Sequence, residues 1–148
     1  MPAVLYIHGG GFVVGDLDTE HANAMSTADA LGVVAVSVDY RLAPEHPFPA
    51  GVEDCYSVLT WLAAEADSLG VDPQRIAVFG QSAGGGLAAG LALMARDRGG
   101  PALGFQVLGI PELDDRLETP SMVAFTDTPM WNRPSAERSW RYYLGEGA

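Results

Sequence analysis

One cysteine, Cys55, stands in a chain of 148 residues, so no disulfide can form within it. Basic residues are scarce too. Eight Lys and Arg face 19 Asp and Glu, a formal net charge of −11. Nucleic acids and anionic membrane surfaces attract basic patches, so neither is an expected partner. Long apolar runs are missing, and Met1-Pro2-Ala3 leads straight toward a strand without a basic segment ahead of it. The expectation is therefore no signal peptide and no membrane span, with the cytoplasm as default location. Repeats and low-complexity tracts are absent as well. What remains, 48% hydrophobic and 18% charged residues, is the composition of a soluble globular domain with an ordinary core.

The most informative stretch is residues 76–90, which read Ile-Ala-Val-Phe-Gly-Gln-Ser-Ala-Gly-Gly-Gly-Leu-Ala-Ala-Gly. A short apolar run ends in Gly80-Gln81-Ser82-Ala83-Gly84, and a small-residue helical pattern follows without a break. This is the G-x-S-x-G layout of a strand that turns sharply into a helix. Small neighbours are needed because the turn strains the serine and brings two backbones close together. The geometry presents the Ser82 hydroxyl at the strand's C-terminal end, at the positive end of the next helix. Alone, the pentapeptide is equally a Gly/Ser turn without chemistry.

A second stretch decides between the two. Val4 to Ile7 is strand-like and opens into His8-Gly9-Gly10-Gly11-Phe12. Acyl transfer passes through a tetrahedral oxyanion, and removing one donor to it costs about 3–4 kcal/mol. A triple-glycine loop after a strand can aim bare backbone N–H groups at that anion. Together the two stretches point to a serine hydrolase.

Three blocks, His8-Gly9-Gly10-Gly11, Asp39-Tyr40-Arg41-Leu42-Ala43-Pro44-Glu45 and Gly80-Gln81-Ser82-Ala83-Gly84-Gly85, resemble the hormone-sensitive-lipase family of α/β-hydrolase esterases in order and separation. Pro111-Glu112-Leu113-Asp114-Asp115-Arg116 resembles the family's segment after the strand that follows the elbow. Gln81 stands where the family often has an acid, and Gly86 where it often has Asn. The resemblance implies a serine esterase acting on short-chain acyl esters. Ser82 would be the nucleophile, and the N–H groups of Gly10, Gly11 and Ala83 would form the oxyanion hole. No metal or organic cofactor is implied, and the partner is a small-molecule ester.

Periodicity supplies the elements between these blocks. Ala22, Met25, Ala28 and Leu31 predict a helix over 19–31, capped by Asp18 or Thr19 and stopped at Gly32. Val33 to Val38 reads as a buried strand, residues 39–50 as a proline-rich loop, and Val52, Cys55, Leu59, Leu62 and Ala66 as one face of a helix. The elbow helix should end at Gly99-Gly100-Pro101, and Leu103 to Ile110 should form a further strand. Strands alternating with helices imply an α/β fold with about four parallel strands and flanking helices, a partial α/β-hydrolase fold. The family's order would place the Val33 strand outermost, then the Val4, elbow and Leu103 strands. Residues 1–111 form the expected core. Residues 112–148 begin a lid or cap, with loops around Pro120 and Pro129, a short helix over 134–144, and Trp131 and Trp140 either lining an acyl pocket or simply packing.

One requirement is unmet. In this fold the order is Ser, then Asp or Glu, then His. His8, His21 and His46 all precede Ser82. His8 is expected to brace the glycine loop, and the other two to lie on a surface helix and in a loop. Asp97, Asp114, Asp115 and Asp127 follow Ser82, but no acid follows a further strand–loop unit, where the resembled family keeps its own. The resemblance thus covers a central segment of a family member, which implies a truncated chain or one complemented by another, weakly active or inactive alone. Both outer strands would be open edges, and one sheet face would be left bare at Ile76, Val78, Val107 or their neighbours, favouring a homo-oligomer or a complementing chain. Two rivals stand beside the esterase. One is a non-catalytic hydrolase-like binding module. The other is a dinucleotide-binding domain, from the G-x-G-x-x-A pattern of Gly84 to Ala89, which lacks the expected acid about 20 residues on.

Overall fold

A computed structural model of the chain describes residues 1–145, and the last three residues of the expected cap segment, 146–148, lie outside them. The elements in chain order are β1 (Ala3–Ile7), a 3-10 turn (Leu17–Thr19), α1 (His21–Leu31), β2 (Val34–Val38), α2 (Ala50–Ala64), β3 (Ile76–Gln81), α3 (Ala83–Asp97), β4 (Phe105–Gly109), α4 (Pro120–Ala124) and α5 (Arg133–Leu144). The four strands form one parallel sheet in the order β2-β1-β3-β4, as expected. From β1 the chain crosses to β2 on one side and then, by way of α2, to β3 on the other. Ile7 pairs with Gly80, so the loops leaving β1 and β3 emerge side by side. That is the reversal point at which open α/β sheets build their sites.

Local chemistry explains the boundaries. α1 stops at Gly32, whose φ of 61° is left-handed and whose N–H bonds back to Ala28. Its start differs from expectation. Neither Asp18 nor Thr19 caps α1. Instead Asp16 caps the preceding 3-10 turn, accepting from the N–H groups of Asp18 and Thr19. α2 buries Val52, Cys55, Leu59 and Leu62 at helical spacing, the predicted face. The segment around Pro120 is not all loop. Thr119 accepts from Met122 N–H and, with Pro120 in the first turn, starts the short α4.

The core lies between the sheet and the α2–α3 pair. Leu5, Ile7, Ile76 and Val78 point into it beside Leu59, Leu62, Leu87 and Leu91. This corrects the expected bare face, because Ile76 and Val78 belong to the covered side. Strand residues alternate, so the opposite side carries Val4, Ala77, Phe79 and Val107. There α1 covers only the β1–β2 end, with Tyr6 donating to Thr27 (2.6 Å) and its ring tilted against Phe79 at 4.8 Å. The rest is a trough of about 520 Å³ leading to Phe105 and Val107, which are 67% and 41% exposed. Fully burying one such side chain is worth about 1.5–3 kcal/mol, so the trough is a real cost to the chain in water.

Helix α5 packs against the loop that leaves β1. From α5, Tyr143 stacks on Phe12 at 4.1 Å and Trp140 meets it at 5.1 Å. Among the described residues no helix is long and apolar enough to cross a membrane.

Candidate active site

Ser82 links β3 directly to α3 with φ 53° and ψ −120°, a conformation that side-chain-bearing residues adopt only under constraint. The constraint is steric. A Cβ on Gly80 would collide with the Gly84 carbonyl, and one on Gly84 with the carbonyl oxygens of Ile7 and His8. The first turn of α3 therefore rests against the end of β1. Hydrogen bonds hold the turn from both sides: Ser82 N–H donates to Gly109 O (2.8 Å), and the Ser82 carbonyl accepts from Gly86 (3.1 Å) and Glu112 (3.2 Å).

The glycine loop lies against this turn. A Cβ on Gly9 would sit 3.4 Å from the Ser82 Cβ. Gly10 and Gly11 have φ of 121° and 58°, values that suit glycine, and the Gly10 carbonyl accepts from Val13 and Val14 at 3.1 Å each. Ser82, Ala83, Gly10 and Gly11 are thus all brought to one end of the sheet.

His8 braces the loop, as expected. It is buried, with Nδ1 2.7 Å from the Gly9 carbonyl. A carbonyl only accepts, so Nδ1 must donate. The ring stacks on Tyr40 at 4.2 Å, and the Tyr40 hydroxyl donates to the His8 carbonyl (2.9 Å). Burial pushes the Tyr40 hydroxyl pKa far up, so it stays a neutral donor. The block around Tyr40 is anchored in turn by Arg41, whose N–H and Nε both reach Asp54 at 2.9 Å, and by Ala43 N–H on Phe12 O (2.9 Å). On the outer side Ser139 of α5 donates to the Gly11 carbonyl (2.5 Å).

The other singled-out residues lie elsewhere. His21 and His46 are exposed, at the start of α1 and before α2. Asp97 pairs with Arg96 at 2.7 Å. Asp114 is held by Arg116 at 2.8 Å, which pulls its carboxyl down to about 2, and Asp115 and Asp127 are exposed. The dinucleotide-like glycines serve packing. Gly84 meets β1, and Gly86 leaves room for the Glu112 carbonyl.

One residue was missed. The Ser82 hydroxyl donates to Glu112 Oε1 at 3.0 Å, while Oε2 is buried with no partner among the described residues. Burial raises the Glu112 pKa, and the bond from Ser82 opposes that rise only in part. Glu112 follows β4, the strand next to β3, so it stands at a strand's C-terminal end beside Ser82. That placement was the available signal. Glu112 lines two hollows, one of about 260 Å³ that includes Leu113, Trp131 and Trp140, and one of about 240 Å³ that includes Phe12 and Tyr143.

Comparison with known proteins gives the chain's relatives. The model of a family described as alpha/beta hydrolase fold matches residues 4–148. Carboxylesterase NlhH of Mycobacterium tuberculosis is 45% identical over 144 residues, covering 97% of this chain and 45% of the relative. Esterase LipI of Mycobacterium tuberculosis is 46% identical, covering 98% and 45%. Among solved structures, a bacterial heroin esterase superposes with a TM-score of 0.97 at 56% identity, covering 99% of this chain and 46% of that one. A hyperthermophilic esterase from Pyrobaculum calidifontis gives 0.94 at 45% identity, covering 99% and 49%. The chain spans about half the length of the relatives it matches.

The raised Glu112 pKa has a consequence for stability. Folding favours the protonated carboxyl, so the stability it contributes is fully present below the unfolded pKa of 4.5 and is lost as pH rises through the higher folded value. Glu112→Gln removes that titration. Thermal melts of variant and wild type should therefore diverge in the variant's favour as pH rises from roughly 4 to 8. A pH-independent difference in Tm would show that the carboxyl is not perturbed by burial.

Proposed function

The chain belongs to the α/β-hydrolase family, in its hormone-sensitive-lipase and carboxylesterase branch, and from that premise we propose that it is a serine esterase for short-chain carboxylic esters. The observation that carries the reading is the strained Ser82 at the β3–α3 turn with the glycine loop packed against it. On this reading Ser82 Oγ attacks the ester carbonyl, and the displaced charge settles on an oxygen that accepts from the N–H groups of Gly10, Gly11 and Ala83. These donors are preorganised by left-handed glycines and by the end of α3, so little reorganisation accompanies the charge. The alcohol leaves, and water then releases the acyl group from Ser82. Acyl transfer through a serine requires neither a metal nor an organic cofactor.

The acyl chain would lie in the hollows on either side of Glu112, against Leu113, Trp140 and Phe12. Their size suits short chains. A serine hydroxyl is a weak nucleophile until a base takes its proton. The oxyanion donors and binding alone can still leave a residual ~10³–10⁴-fold acceleration over water.

The bare sheet face bears on how the chain exists in solution. Phe105, Val107 and the β4 edge offer apolar surface and unpaired backbone groups together, a combination that favours association with another copy.

Two outcomes are expected. With a chromogenic acetyl or butyryl ester, the purified chain should show slow hydrolysis that Ser82→Ala lowers further. Equal rates for the two proteins would leave only a binding module. In sedimentation at micromolar concentration, the chain should run as an oligomer. A cooperatively unfolding monomer of 15.6 kDa would show that the trough needs no cover.

A further inference from the structure

Three successive carbonyls of the glycine loop are each held by a different donor. His8 Nδ1 holds that of Gly9 (2.7 Å), the N–H groups of Val13 and Val14 hold that of Gly10 (3.1 Å each), and the Ser139 hydroxyl holds that of Gly11 (2.5 Å). The peptide bonds of the loop are trans. In a planar trans peptide the C=O and the following N–H point in opposite directions, so holding one aims the other. His8 thus aims the N–H of Gly10, and Val13 and Val14 aim that of Gly11. Neither N–H donates to a backbone oxygen among the described residues. Glycine has little steric preference of its own, so the aim of the Gly11 N–H also depends on the peptide that follows it.

That following peptide is gripped from α5. Ser139, 3% exposed and 128 residues further along the chain, holds its carbonyl. At its other end Phe12 has φ 64°, a strained value for a residue with a side chain. The Phe12 ring is buried against Tyr143 at 4.1 Å and Trp140 at 5.1 Å, both on α5. A Cβ on Gly11 would sit 3.1 Å from the Trp131 ring and 3.2 Å from the Ser139 hydroxyl, so the cap segment closes directly over this peptide.

We propose that Ser139 is a positioning residue for the reaction at Ser82. By holding the Gly11 carbonyl, it keeps the Gly11 N–H aimed at the charge that develops on the acyl oxygen. The proposal rests on the reading of Gly10 and Gly11 as oxyanion donors. Ser139 acts through Gly11 rather than on the substrate. An oxyanion donor is used most strongly in the transition state, so loss of its aim lowers kcat and leaves KM unchanged. The oxyanion loop is then complete only while α5 is docked on it.

The test compares Ser139→Ala, Ser139→Thr and Ser139→Val with wild type in the full chain. Thr and Val have nearly the same shape, so that pair separates the hydroxyl from crowding in a buried site. Two quantities are read: the 15N order parameters of the Gly10 and Gly11 amides, and kcat and KM for a chromogenic butyryl ester. In wild type and Ser139→Thr both amides should stay near the rigid value of about 0.85, while in the Ala and Val variants that of Gly11 falls toward about 0.6. In those two variants kcat should drop about tenfold at unchanged KM, less than the ~10²–10³-fold loss that removing a whole donor causes. A lowered Tm with wild-type order parameters and kcat would make Ser139 a packing residue only and overturn the proposal. A Val variant that matches the Thr variant would overturn it too. A mobile Gly11 amide with unchanged Ser82-dependent hydrolysis would remove Gly11 from the donors, and the proposal with it. Hydrolysis that Ser82→Ala does not lower would bring down the esterase reading itself and this proposal together, and the order parameters would still report separately whether Ser139 anchors the loop.

Discussion

The site depends on one close contact, that of Gly84 with the carbonyl oxygens of Ile7 and His8. Because no Cβ stands between them, the first turn of α3 lies directly on the end of β1. Two things follow. The chain between β3 and α3 has room for only one residue, Ser82, which is forced to positive φ at the C-terminal end of the sheet. The loop after β1 is held beside that hydroxyl, so the glycines at 9, 10 and 11 and the start of α3 meet without either segment having to move. Strain at Ser82 is tolerated because the pairing of β1, β3 and β4 and the bonds on both faces of the turn over-determine it.

Around that contact, support is arranged in layers. Tyr40 and His8 hold the inner side of the glycine loop, and Arg41 and Asp54 hold the segment that carries Tyr40. Ser139 and the aromatic group of Phe12, Trp140 and Tyr143 hold the outer side. The blocks that look like separate motifs along the chain are one structure in space. Residues 39–45 brace the loop of residues 8–11, which lies against the turn of residues 80–85. The same arrangement places the Glu112 carboxyl beside Ser82, where charge is costly to bury.

Much of this was legible in the sequence because it is encoded locally. The G-x-S-x-G turn and the strand-then-glycine opening each require particular small residues at fixed positions, and the strand order follows from the resemblance they establish. What was not legible depends on tertiary direction. The face to which β3 turns Ile76 and Val78 is set by a phase that a near-continuous apolar strand does not reveal. The caps near α1 shifted because Asp16, Asp18 and Thr19 are chemically interchangeable candidates, and only the backbone selects one. Glu112 carries no signal of its own along the chain, and the resembled family keeps its acid far downstream. Its own position, at the end of the strand beside the elbow, acquires meaning only when β4 is seen to lie next to β3.

The central claim is that two glycine-bearing segments converge on a single charge beside Ser82. It is tested most directly by a crystal structure of the chain with a phosphonate bonded to Ser82 Oγ. The account predicts a phosphonyl oxygen about 2.7–3.1 Å from the backbone nitrogens of Gly10, Gly11 and Ala83, with the glycine loop unmoved. A phosphonyl oxygen turned to solvent, or a loop displaced from the turn, would contradict it.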